Sequence, residues 1–254
     1  MAREVPALSR ALNILELFLD VPTLSAPDIA ARLGLPRTTV HELLGTLVGR
    51  HYLVAVPGQP TRYRLGVRLF QLGGVFAQNL DMIREAQEVA DETAAACGET
   101  VQVGVLQGDQ VLYIARAEST HPVRMVSTVG RLLPAHCTGL GKVLLAGLPQ
   151  EELDVLFPDD RELITMTANS IASVDRLREE IARIRETGLG YDDAESNDAV
   201  HCVAAGVHDH TGAQVASMSI SVPSPRWDDQ VRARLGELVR ERAGVLSARL
   251  GHLV

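Results

Sequence analysis

Apolar residues recur with two different periods along this chain. The first region is mostly helical in spacing. Leu8, Leu12, Leu15 and Phe18 or Leu19 mark one helix, Ile29, Ala30 and Leu33 a second, and Val40, Leu43, Leu44 and Leu47 a third at i, i+3, i+4, i+7. Gly34-Leu35-Pro36 separates the second helix from the third: glycine ends one, and proline suits the first turn of the next, where its missing N–H has no partner to lose. Two short stretches follow, Leu53–Val56 and Arg62–Leu65, divided by Pro57-Gly58-Gln59-Pro60, and they read as a β-hairpin. Val67–Ala77 and Ile83–Ala96 are helical again, until Gly98 stops them.

At Thr100 the period becomes two. Val101, Val103 and Val105 alternate, Gln107-Gly108-Asp109 turns, and Val111-Leu112-Tyr113-Ile114 runs back. A strand near Arg124–Thr128, a loop Gly130–Pro134, and helices over Thr138–Ala146 and Val174–Thr187 are expected next. Long strands Val200–Val207 and Gln214–Val222 flank the turn Asp209-His210-Thr211-Gly212, and a helix over Asp228–Leu250 closes the chain. That order indicates an α+β chain whose second part is built on an antiparallel sheet.

Ser25 through Leu53 has the sequence form of a helix-turn-helix. Ser25 can cap the second helix and Asp28 can answer it. The third helix carries Arg37, Thr38, Thr39, His41 and Glu42 opposite its apolar stripe, in the turns that meet base edges when such a helix enters the major groove. An ordinary helical hairpin of an all-α domain is the competing reading of these helices alone. The hairpin behind them shifts the balance, because it reads as a wing whose Arg62 and Arg64 alternate outward toward backbone phosphates. The candidate DNA-contacting set is therefore Ser25, Arg37, Thr38, Thr39, His41, Glu42, Arg62 and Arg64.

Charge agrees with this division. Eight arginines against five acids give residues 1–80 a net charge of +3, and the rest of the chain carries −11. The 254 residues, 46% of them hydrophobic, suffice for two modest cores. No apolar run reaches the roughly 18 residues of a membrane span and no signal-peptide core follows Met1, so a cytoplasmic protein without membrane contact is expected. Cys97, Cys137 and Cys202 are odd in number and widely spaced, which fits reduced thiols. Lys142 is the only lysine, and it reads as a composition bias.

Ser217, Ser219 and Ser221 alternate with Met218, Ile220 and Val222, so one face of that strand is lined with hydroxyls. Solvent could take them. If Val200, Cys202 and Ala204 lie beside them, that shared face is a poor solvent surface and suits a small cavity. His136-Cys137-Thr138-Gly139-Leu140-Gly141-Lys142 opens a helix with small residues, either to leave backbone N–H groups to an anion such as a carboxylate or simply to pack closely. A different class also uses these residues: His136, His201, His208 and His210 with Cys137 and Cys202 could form a metal site or a hydrolytic enzyme. Spacing disfavours it, since His201 and Cys202 are neighbours on a strand and point to opposite faces, and no CxxC or HExxH pair occurs. No catalytic residue, metal or cofactor is expected.

Four segments, taken in order, resemble the IclR-type bacterial transcriptional regulators: GLPRTTVHELLGTLVGRHYL with YRLG, GRLLPAHCTGLGKVLLA, GYDDAE, and HCVAAGVHDHTGAQVASMSIS. The resemblance spans essentially the whole chain. It implies an N-terminal winged helix-turn-helix (1–66), a linker helix (67–80) and a C-terminal GAF-like effector domain with an antiparallel sheet (81–254). It further implies operator DNA as partner, a homodimer or dimer of dimers, use as a repressor, and an effector pocket lined by Gly139, Leu140, Asp192, Val200, Cys202, Ser219 and Ser221. Asp192 enters by resemblance alone. Family effectors are small organic or aromatic acids, and backbone N–H groups with hydroxyls can hold a carboxylate without a buried arginine. Glu42, His51, Ala199 and Gly206 depart from the family's usual Arg, Gly, Gly and Pro, so neither operator sequence nor effector identity carries over.

Overall fold

A computed structural model describes residues 4–78, 81–119 and 128–252. The chain divides into two compact units, Met1–Leu80 and Asp81–Val254.

In the first unit, α1 (Pro6–Glu16) leads through a 3₁₀ turn and β1 (Leu24–Ser25) to α2 (Ala26–Leu33) and α3 (Arg37–Gly49). The hairpin β2 (Leu53–Val56) and β3 (Arg62–Leu65) follows, then α4 (Val67–Gln78). Ile14, Phe18, Ile29, Val40, Leu44, Leu47 and Leu53 form its core. The stripe expected on α1 is corrected: Leu8 and Leu12 are exposed, and Ile14 with Phe18 turns inward. Leucines repeat on two sides of that helix, so only contact with α3 decides which side is buried. β1 pairs with β3 at Leu24↔Tyr63 and Ser25↔Arg62, which makes β3 the middle strand of a small sheet.

The second unit is a six-stranded antiparallel sheet between two helical layers. Its strands are β4 (Thr100–Gln107), β5 (Gln110–Ala117), β6 (Leu132–Pro134), β7 (Leu189–Asp193), β8 (Val200–His208) and β9 (Gln214–Pro223), in the order β6-β5-β4-β9-β8-β7. α5 (Asp81–Cys97) and α9 (Asp229–Arg249) cover one face, where Val101, Val103, Val203, Met218, Ile220 and Leu235 pack. α6 (Gly139–Ala146), α7 (Gln150–Leu156) and α8 (Val174–Thr187) cover the other, with Val111, Leu144, Leu177 and Ile181. The stretch expected as a loop over Gly130–Pro134 contains β6, whose Leu132, Leu133 and Pro134 pair with β5. The strand expected near Arg124–Thr128 lies, up to residue 127, outside the described residues, and Thr128 belongs to no strand.

Candidate functional site

In the first unit, Ser25 and Asp28 form the expected capping box at α2. Ser25 N–H donates to Asp28 Oδ2 (3.0 Å), and Asp28 N–H donates back to Ser25 Oγ (3.4 Å). The Ser25 hydroxyl also donates to Asp28 Oδ2 at 2.7 Å, and these bonds hold the Asp28 carboxyl below its usual range. Ser25 is buried, so its place is under the helix and not on a DNA-facing surface. Arg37, Thr38, His41 and Glu42 are exposed on α3, and Thr39 is half-buried. Register sets Arg64 opposite Val54 and Arg62 opposite Val56. Arg62 leans on Thr23, donating from Nε to its hydroxyl (3.2 Å) and from Nη2 to its carbonyl (3.4 Å). Arg64 is exposed and makes no hydrogen bond or ion pair among the described residues. The first unit thus presents a helix face of mixed donors and acceptors and a wing with two cations, a surface able to meet base edges and phosphates.

In the second unit, the serine row is buried: Ser217, Ser219 and Ser221 are each at most 1% exposed. β8 lies beside them as the alternation requires, with Cys202 opposite Ser221 and Ala204 opposite Ser219. Two of these hydroxyls have internal partners. Ser217 Oγ donates to the Leu140 carbonyl at 3.0 Å, and Ser221 Oγ donates to Gln102 Oε1 at 3.2 Å while lying 3.0 Å from Cys202 Sγ.

Ser219 instead lines a cavity of about 550 Å³ together with Gly139, Leu140, Asp192, Val200 and Cys202. Six of the seven residues expected in the pocket therefore meet there, and Ser221 stands behind Cys202, off the lining. Gln102, Tyr113, Thr138, Arg131 and Arg226 also line it and were not expected. Their strands and loops are far apart in sequence, and for Gln102 and Tyr113 the alternation of β4 and β5 is the signal that could have pointed inward. Arg226 is gripped by Glu99 through two bonds, Nη2 to Oε2 at 2.6 Å and Nε to Oε1 at 3.1 Å.

α6 starts at this cavity. Thr138 caps it, its Oγ1 accepting from Gly141 N–H at 3.0 Å, and Gly139 and Leu140 are the first two helical residues, whose amides find no intrahelical acceptor. Gly141 serves packing: a Cβ there would sit 2.2 Å from the Ala135 carbonyl oxygen. Asp192 is buried in the wall. Its Oδ1 accepts from the N–H groups of Glu195 (2.7 Å) and Ser196 (3.2 Å), and its Oδ2 from the Ser196 hydroxyl (2.5 Å). Burial nevertheless raises the Asp192 pKa above the ordinary carboxylate value, against those bonds and the field of Lys142. The Tyr113 hydroxyl is pushed up by burial as well.

Burial also drives the Cys202 thiol well above its ordinary pKa, the opposite of what a thiolate nucleophile or metal ligand needs. His136, another residue of that disfavoured alternative, has its Nε2 2.8 Å from the Ile164 carbonyl, and burial lowers its pKa. Among the described residues no group of three His, Cys, Asp or Glu side chains could hold a metal ion. No helix among them is long and apolar enough to cross a membrane.

Comparison with known proteins covers both units. The family model described as IclR helix-turn-helix domain matches residues 7–57, and that described as Bacterial transcriptional regulator IclR C-terminal matches residues 75–248. The HTH-type transcriptional regulator XynR of Escherichia coli (strain K12) is 33% identical over 249 residues, 98% of each chain. The HTH-type transcriptional repressor AllR of Klebsiella pneumoniae is 33% identical over 248 residues, covering 96% of this chain and 90% of AllR. The crystal structure of Thermotoga maritima IclR superposes with a TM-score of 0.78 at 25% identity, over 98% of this chain and 100% of that one.

Proposed function

Since the chain belongs to the IclR family of bacterial transcriptional regulators, we propose that it is a ligand-responsive repressor that reads operator DNA with its first unit and senses a small carboxylate with its second. The observation that carries the DNA half is the pairing of an exposed α3 face with two wing arginines. Arg37, Thr38, Thr39, His41 and Glu42 face the major groove, and Arg62 and Arg64 hold phosphates. Residues 1–66 form the DNA-binding domain, 67–80 a linker helix that includes α4, and 81–254 the effector domain. The protein acts in the cytoplasm as a homodimer or dimer of dimers. Leu8 and Leu12 on α1 and Phe70 and Leu72 on α4 are large, apolar and exposed, a costly arrangement for a lone chain.

Fluorescence anisotropy with DNA from upstream of the protein's own gene, against scrambled DNA over a range of salt, tests the reading. Selective binding that weakens steeply with salt is expected. Arg64→Ala should weaken binding to all sequences alike and reduce the salt slope by about one, whereas Thr39→Ala should change sequence preference at an unchanged slope. Equal, weak binding of both DNAs would count against the upstream operator, and an unaltered slope in Arg64→Ala would remove the wing from the interface.

The effector half rests on the cavity of about 550 Å³, a volume suited to one small molecule. Amides of Gly139 and Leu140, the Ser219 hydroxyl and the Arg131 and Arg226 side chains supply donors for a carboxylate, and Asp192 opposes it when ionised. The pKa of Asp192 is raised, so lowering the pH protonates it first and removes the repulsion. Carboxylate affinity should therefore rise as pH falls, until the ligand itself protonates. Asp192→Asn should bind carboxylates several-fold tighter at neutral pH, on the order of one pKa unit's worth of interaction, and lose that dependence. Calorimetric titration with small carboxylates and their uncharged amides checks both statements, and amides binding equally well would overturn the acid preference. Chemistry by Cys202 or His136 is not favoured, since the relatives are regulators and the thiol is held protonated.

A further inference from the structure

The effector domain contains a second cavity, of about 800 Å³, at the edge strand β7 between α8 and α9. Five cations and three acids line it, a net charge of +2 within a stretch of chain that carries −11. Its floor is Lys142, 1% exposed, with Nζ 2.5 Å from Glu195 Oε1 and 3.6 Å from Glu180 Oε1. Glu195 is 6% exposed, and its Oε2 has no hydrogen-bond partner among the described residues. That oxygen is closed to the cavity, so the part of this acid here is to hold Lys142 in place.

The rim supplies the complementary half. The Arg232 guanidinium makes no hydrogen bond among the described residues and is held over the Tyr191 ring at 4.0 Å, 3.9 Å from Asp193 Oδ2. Arg183 spends one contact on Glu180, at 2.7 Å. Both keep most of their five N–H donors, in the fork geometry that recognises oxyanions. Asp193 is faced by Arg232 and by His201 Nδ1 at 3.5 Å, so the rim acid is itself answered by a cation, Arg232.

We propose that this cavity is a second ligand site, for a compact polyanion such as a polycarboxylate. Oxyanion groups of the ligand meet the guanidinium groups of Arg183 and Arg232. The two cavities adjoin: the backbone N–H of Glu195 donates to Asp192 while its side chain lines the second cavity, and Asp192 and Asp193, neighbours on β7, line one cavity each. Each ligand then alters the affinity for the other by the same factor.

Calorimetric titration of the full chain with citrate, against sodium chloride at matched ionic strength, tests the site. Saturable binding is expected, weakened several-fold for acetate, which brings a single carboxylate. Arg183→Gln/Arg232→Gln should lower citrate affinity about tenfold or more while leaving the thermal melt and the carboxylate titration of the first cavity unchanged. Should the double variant fail to fold, the two single variants carry the same comparison. Heat no greater than that of chloride would overturn the proposal. So would citrate binding retained by the variants, which would put citrate in the first cavity and leave that reading standing.

Discussion

Replacing Lys142 with methionine is expected to cost the effector domain about 3–5 kcal/mol, the range for removing one partner of a buried ion pair. The lysine is 1% exposed and sits 2.5 Å from Glu195 Oε1. Burial already raises the Glu195 pKa, and the attraction of Lys142 is the main influence holding it down. Without the cation the carboxyl must take up a proton or remain charged without a partner in a low-dielectric site. The sign of the pH dependence follows. A carboxyl whose folded pKa lies above its unfolded value favours folding at low pH and loses that contribution as pH rises through the folded pKa, so the defect of Lys142→Met should shrink on acidification. A Lys142→Met/Glu195→Gln variant should recover part of the loss, because neither a bare charge nor a bare counter-ion remains. Urea denaturation followed by the single tryptophan reads this in the right place: Trp227 belongs to the second unit, stacked on His201 at 5.4 Å. Equal stability of wild type and Lys142→Met would show that the pair does not hold the domain together.

Gly66→Ala is expected to lower operator affinity on the order of ten- to a hundredfold, since each factor of ten corresponds to about 1.4 kcal/mol of displaced geometry. Gly66 directly follows β3, and its N–H donates to the Tyr52 carbonyl at 2.7 Å. A Cβ there would lie 2.2 Å from the His51 carbonyl oxygen and 2.9 Å from the carbonyl carbons of His51 and Tyr52. All three are backbone atoms, so no side chain can swing aside. The wing must move away from the segment that ends α3, and Arg62 and Arg64 move with it. His51 adds to the constraint with φ +65°, a left-handed conformation in which the family more often has glycine. Effector titrations and the Trp227 melt should be unchanged, because the substitution lies in the other unit. Wild-type DNA affinity in Gly66→Ala would mean that wing position does not matter for binding.

Local signals made much of this molecule legible. Wing strands Leu53–Val56 and Arg62–Leu65 and helix Val174–Thr187 have the bounds that alternation, turn residues and caps indicate. Three short elements escaped: β1, β6 and α7 have no turn chemistry or alternation to mark them, and each depends on pairing with or packing on a neighbour distant in sequence, whereas β7 was visible only through the resemblance of GYDDAE. The two leucines on the exposed side of α1 misled for a related reason, since amphipathic spacing names a face without saying what it meets.

The candidate sites divide in the same way. Thr39, Arg37 and the wing arginines follow from helix and strand periods alone, and so does the hydroxyl row on β9. Burial of that row depended on Cys202 and Ala204 falling in register beside it. Arg226 at the first cavity was invisible because its role comes from Glu99, 127 positions away. Lys142 looked like a bias of composition, yet it is the buried cation between two glutamates contributed by different segments. By itself, then, the sequence determined the winged helix-turn-helix, the antiparallel sheet and the faces of their elements, because helix and strand periods and turn chemistry are short-range properties. Tertiary structure alone decided which polar groups are buried, which of them meet across a cavity and which carboxyls are forced toward the neutral form. Those outcomes depend on desolvation and on contacts between residues brought together only by folding.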